Sequence, residues 1–137
     1  MTAAGTPLSI LMVDDDVDFC ESLATILRSD QVEVRTAATL HEAEGLLRRL
    51  SFDLVITDLR LSGAPDFEGL QVIGRAKEKA PATRVVLLTA FGGAAVERAA
   101  KRLGALECWS KGMPVPDLIA RLRGLGVPVR RTPPPAS

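Results

Sequence analysis

Three consecutive aspartates, Asp14, Asp15 and Asp16, close the apolar run Leu8–Val13. Carboxylates that leave one strand together repel one another, and a hard cation with oxygen ligands relieves that repulsion. An acidic turn ending in a helix N-cap is the competing reading, because Asp is a favoured capping residue. Further along, Asp58 follows a second apolar run, Thr89 ends a third and Lys111 stands just past a fourth. Singly these are bland: a loop acid, a strand-end hydroxyl and a solvated charge. What they can do together depends on whether one fold brings them to one crevice.

Five strand-like runs alternate with helical patterns: Leu8–Val13, 32–36, Leu54–Thr57, Arg84–Thr89 and 106–109. After the first, Phe19, Leu23, Ile26 and Leu27 mark one helix face, with Asp16 placed to cap it and Asp18 in its first turn. Thr39 and Glu42 form a capping box for a helix over 40–50. A third helix is expected over Glu68–Lys79, stopped by Pro81. The fourth carries Val96, Ala99, Ala100 and Leu103 on one face and ends at Gly104 as its C′ glycine. The last carries Leu118, Ile119 and Leu122 and ends near Gly124 and Gly126. Residues 1–7 read as an N-terminal extension and 8–126 as one domain. The proline-rich stretch 127–137 reads as a tail or linker.

Strict alternation of strand and helix predicts an α/β fold, a doubly wound five-stranded parallel sheet in the flavodoxin-like order 2-1-3-4-5, with helices on both faces. In such a fold the functional crevice lies beyond the carboxyl ends of the strands. Asp14, Asp15, Asp58, Thr89 and Lys111 would all converge there. Placement of such a set after four separate strands is not a common accident.

Composition narrows the class. A chain of 137 residues with 47% hydrophobic content can bury a real core. Lys+Arg and Asp+Glu balance at 17 each, so no global field draws it to nucleic acid or acidic membrane. No apolar run is long enough to span a bilayer, and the N-terminus lacks the basic start of a signal peptide. Cys20 and Cys108 have no metal or redox spacing, and two lone cysteines suit a reducing cytoplasm. His41 reads as surface, and Trp109 as core on the side of its strand opposite Cys108.

The chain resembles the receiver domain of bacterial two-component response regulators. The resemblance rests on Ile10-Leu11-Met12-Val13-Asp14-Asp15-Asp16, Asp53-Leu54-Val55-Ile56-Thr57-Asp58-Leu59-Arg60-Leu61, Val85-Val86-Leu87-Leu88-Thr89-Ala90, and Gly104-Ala105-Leu106-Glu107 leading to Lys111. It implies that Asp58 takes a phosphoryl group from a histidine kinase or phosphotransfer protein. It implies that Asp15, Asp58 and the carbonyl of Arg60 ligate Mg²⁺, with Asp14 acting mainly through bound water. Thr89 and Lys111 would each meet a phosphoryl oxygen. The chain would then be a signalling switch acting through contacts with an unidentified downstream protein. It would not be an enzyme, and no DNA-binding domain or membrane segment is expected within this sequence. Phosphoryl transfer needs positioning and charge neutralisation above all, which suits this set.

Three departures from the family pattern stand out. Lys111 is followed by Gly112-Met113-Pro114 where the family has proline directly after its lysine, so a trans bond is expected here. The loop over 62–69 is longer, with Ser62 where proline is usual. Cys108 replaces the customary aromatic switch. On the first helix, Val17, Cys20 and Ala24 form a second small apolar stripe, expected to be a docking surface for the phosphodonor. Competing readings are a phosphorylation-independent scaffold and a haloacid-dehalogenase-type phosphatase built on Asp14-x-Asp16. The phosphatase lacks an acidic pair after Lys111 and leaves Asp58 without a role. A flavin-binding module is weaker again, because carboxylates stand where a phosphate loop is needed.

Overall fold

Strand and helix alternate through the described residues: β1 (Leu8–Val13), α1 (Val17–Leu27), β2 (Val32–Ala37), α2 (Leu40–Arg49), β3 (Leu54–Thr57), α3 (Glu68–Lys79), β4 (Arg84–Thr89), α4 (Ala94–Arg102), β5 (Glu107–Ser110) and α5 (Val115–Gly124). The computed structural model describes residues 6–61, 67–90 and 92–129. The strands form one parallel sheet ordered β2-β1-β3-β4-β5, as the alternation predicts.

Successive strand residues feed opposite layers of core. Ile10, Met12, Ile56 and Leu88 pack with Leu23 and Leu27 of α1 and Leu118 and Leu122 of α5. Leu11, Val13, Val55 and Leu87 pack with Ala43 and Leu47 of α2 and Val72 and Ile73 of α3. The central strands are apolar without alternation because both of their faces are covered.

The helix ends obey their local chemistry. Asp16 Oδ1 accepts the Phe19 N–H at 3.1 Å and starts α1. Thr39 Oγ1 accepts the Glu42 N–H at 3.1 Å, while Glu42 reaches back to the Ala38 N–H at 2.7 Å, one residue before the cap. Gly104, with φ +111°, closes α4. Its N–H donates to Lys101 O and the Ala105 N–H donates to Ala100 O, the paired bonds of a Schellman turn.

Four expectations are revised. The strand expected over 106–109 begins at Glu107, leaving Leu106 45% exposed. Of the face expected on α4, only Ala100 is fully buried, and Leu103 lies past the last turn at 42% exposure. Short alanine side chains give this helix little to bury. The docking stripe on α1 does not exist as a surface: Cys20 and Ala24 are core, and only Val17 is exposed. α1 packs against both β1 and β2, so its buried face is wide enough to take both stripes. Packing also continues past 126, since Val127 is buried and Val129 rests against the same layer. Trp109 is core on the layer opposite Cys108, and His41 is exposed, both as expected.

Among the described residues no helix is long and apolar enough to cross a membrane.

Candidate functional site

Parallel register aligns the carboxyl ends of the central strands. Val13 pairs with Thr57, and Thr89 pairs with Ser110. The ladder continues one step beyond the strands: the Asp58 N–H donates to Val13 O at 2.8 Å, and the Lys111 N–H donates to Thr89 O at 3.1 Å. Main-chain hydrogen bonds, not loop conformation, therefore fix where Asp58 and Lys111 leave the sheet. The Asp14 N–H is held in the same way by Ala37 O at 2.9 Å.

Lys111 then crosses the crevice. Its Nζ lies 2.6 Å from Asp14 Oδ2 and 2.8 Å from Asp58 Oδ2. The second oxygen of each acid is also held. Asp14 Oδ1 accepts the Asp16 N–H at 2.9 Å, and Asp58 Oδ1 accepts the Leu59 N–H at 2.6 Å. Both acids are buried, Asp15 is exposed and Thr89 is buried at the end of β4. Carboxylate oxygens of Asp14, Asp15 and Asp58 all lie within 4.8 Å of one another.

Burial pushes the Asp14 carboxyl above its ordinary range, although hydrogen bonds from Lys111 and the Asp16 amide oppose it. For Lys111 burial alone would favour the neutral amine. Its hydrogen bonds to Asp14 and Asp58 outweigh that, so the ammonium is held more firmly than usual. Three carboxylates still face a single ammonium. An all-oxygen donor set with excess negative charge fits a hard divalent cation and not a soft one.

The sequence-predicted set Asp14, Asp15, Asp58, Thr89 and Lys111 is thus assembled around one crevice. Arg60 stands two residues after Asp58, and its guanidinium lies 5.8 Å from the centroid of the Phe67 ring. The Lys111–Gly112 bond is trans, in line with expectation. Most of the expected long loop, residues 62–66, lies outside the described residues.

Two positioning residues were not anticipated. The Phe19 ring centroid lies 4.8 Å from Lys111 Nζ, a cation–π contact that backs the ammonium from the α1 side. Gly69, in the first turn of α3, donates its N–H to Leu59 O at 2.8 Å. A Cβ placed there would fall 1.9 Å from the Asp58 carbonyl oxygen. Phe19 was legible only as a core residue, and a helix-start glycine carries no periodic signal.

With this geometry in hand, comparison with known proteins gives a consistent answer. The family model described as the response regulator receiver domain matches residues 10–123. Response regulator protein PilR of Pseudomonas aeruginosa is 36% identical over 115 residues, covering 84% of this chain and 24% of PilR. The non-phosphorylated HemR receiver domain from Leptospira biflexa has a TM-score of 0.78 at 34% identity, covering 93% of this chain and 99% of that one. A response regulator from Burkholderia pseudomallei, solved with a phosphorylated aspartic acid, calcium ion and citrate, has a TM-score of 0.74 at 25% identity. That match covers 90% of this chain and 77% of the other. The chain therefore corresponds to about a quarter of PilR's length. By its matched model, its sheet order and its relatives, the chain belongs to the response regulator receiver domain family.

Proposed function

We propose that Asp58 accepts a phosphoryl group from a phosphohistidine on a histidine kinase or phosphotransfer protein. The resulting acyl phosphate would change the domain's contacts with a downstream protein in the cytoplasm. An Asp58 carboxylate oxygen attacks phosphorus in line with the scissile P–N bond. That bond breaks with its electron pair returning to the imidazole nitrogen, and a mixed anhydride forms on Asp58. Water attack on phosphorus later restores the carboxylate and releases inorganic phosphate. The protein's part is positioning and charge neutralisation.

Each side chain has a defined task in this reading. Lys111 exchanges its bond to Asp58 Oδ2 for one to a phosphoryl oxygen while Asp14 continues to hold it. The Thr89 hydroxyl donates to another phosphoryl oxygen. Asp15, Asp58 and the Arg60 carbonyl would hold Mg²⁺, with Asp14 acting through its water. A bound Mg²⁺ would neutralise charge on the phosphoryl oxygens. The domain acts as a switch and has no substrate to turn over for its own product.

The observation that carries this reading is the Lys111 ammonium bound at once to Asp14 and Asp58, with Asp15 alongside. The Burkholderia relative solved with a phosphorylated aspartic acid supports the same chemistry. Treatment with acetyl phosphate and Mg²⁺ should add one phosphoryl to the intact mass, and Asp58→Asn should abolish the gain. Labelling of Asp58→Asn at the wild-type rate would sink the assignment. Absence of any adduct on the wild-type chain would favour the phosphorylation-independent scaffold.

A further inference from the structure

A cavity of about 150 Å³ opens beside Thr89, between the β4–β5 edge of the sheet and the start of α4. Its walls include Leu87, Thr89, Val96, Glu97, Cys108 and Ser110. Strand register explains why these residues meet. Leu87 pairs with Cys108 and Thr89 with Ser110, and alternation sends all four toward the α4 layer. On the opposite wall α4 contributes Val96 and Glu97, and the helix fully buries only Ala100. The small Cys108 side chain on the strand leaves volume that Val96 of the helix does not fill.

We propose that this cavity is a binding site for a small neutral ring carrying one hydroxyl group, a ligand of the phenol class. The volume suits one ring, since an apolar cavity of about that size takes up benzene. The wall is mixed. Leu87, Val96 and Cys108 offer an apolar floor, while Thr89 and Ser110 put hydroxyls at one edge. Glu97 sits at the mouth and is exposed, which disfavours an anionic ligand. Burial pushes the Cys108 thiol up, so the floor stays uncharged at neutral pH. Because Thr89 forms part of the wall, an occupant would touch a residue of the acid crevice without blocking Asp58. The inference needs no phosphorylation and stands apart from the function proposed above.

Titration of the unphosphorylated domain with 4-fluorophenol, monitored by fluorine and amide NMR, tests the site. Saturable shifts should fall at residues 87–90, 92–97 and 108–110. Cys108→Phe fills the cavity and should abolish them, and Cys108→Met, a smaller filler that keeps the test should the ring disturb the fold, should weaken them. Cys108→Ala enlarges the cavity and should preserve binding. Shifts that do not saturate, or that persist unchanged in folded Cys108→Phe and Cys108→Met proteins, would overturn the proposal. Saturable shifts confined to other residues would overturn it as well.

Discussion

Gly69 and the Asp58 carbonyl lie so close that a single methyl group would overlap them, at 1.9 Å. The start of α3 is thereby seated directly on the backbone that presents the acid. Gly69 is buried and its φ is ordinary for a helix, so the demand here is for space alone. Gly69→Ala must push α3 or the Asp58 turn away, at a cost of roughly 1–3 kcal/mol. Thermal melting should show that loss. Acetyl phosphate labelling should slow by more than Gly74→Ala slows it, because nothing lies near a Cβ at Gly74. Equal labelling rates in the two variants would separate α3 seating from Asp58 positioning.

A phosphodonor that docks on α1 would meet Val17 and not Cys20. Val17 is 57% exposed, whereas Cys20 is 3% exposed. A charge at Cys20 would be buried without a partner, so Cys20→Glu should unfold the domain or cost several kcal/mol. Val17→Glu should leave stability and acetyl phosphate labelling unchanged while slowing transfer from a histidine phosphodonor. If Val17→Glu transfers at the wild-type rate, this end of α1 is not part of the docking surface.

Legibility in the sequence differs from element to element. Leu8–Val13, Leu54–Thr57 and Arg84–Thr89 were legible to the residue, because strands covered on both faces become unbroken apolar runs. The acids, Thr89 and Lys111 were legible because each stands at or just past the end of a strand, where the sheet itself sets its position. The width of the α1 core face was not legible. Periodicity identifies Cys20 and Ala24 as a stripe, but only the flat contact with both β1 and β2 decides that it is covered. The seating of Gly69 depends on where a separate element passes, and no local pattern encodes it. Phe19 behind Lys111 is likewise a contact between distant positions.

Cys20 also sets an alkaline limit on stability. Burial pushes its thiol from 9.0 up to about 11. The folded state holds this proton more tightly than the unfolded chain does. Its contribution is therefore complete below pH 9.0 and is lost as pH rises through about 11. The amount at stake is on the order of 2–3 kcal/mol. Melting curves of wild type and Cys20→Ala, taken at intervals across that window, should show wild type losing ground to the variant. A constant difference between the two would show that the thiol does not ionise at the fold's expense.

Asp14 should destabilise the metal-free domain. Its carboxyl is pushed up by burial, so the charged form is disfavoured in the folded state even with Lys111 bound to it. Asp14→Asn keeps the shape and removes the charge, and it should raise Tm at neutral pH in the presence of a chelator. Added Mg²⁺ should raise wild-type Tm more than that of the variant, since a ligand bound only by the folded state stabilises it. A lower Tm for Asp14→Asn without metal would mean that its ion pair with Lys111 outweighs the crowding of acids.

Phosphorylation should be read out mainly through the start of α4. The family pattern implies an aromatic side chain on the last strand that takes up the space the threonine vacates. Here Cys108 stands in that place, and it has little apolar area to gain by reorienting. An equilibrium shifts only by the difference in interaction free energy between its two states. Coupling from Thr89 into β5 and α5 should therefore be weak. The start of α4 is the more yielding neighbour. Its N-cap is Gly93 at φ +146° with no side-chain cap bond, and the helix fully buries only Ala100. Elements so lightly held open locally at low cost. Hydrogen exchange with and without a beryllofluoride phosphoryl mimic should thus show its largest changes around Gly92 and Gly93. Dominant changes at 106–109 and α5, with Gly92 and Gly93 silent, would show that the signal crosses β5 without an aromatic ring.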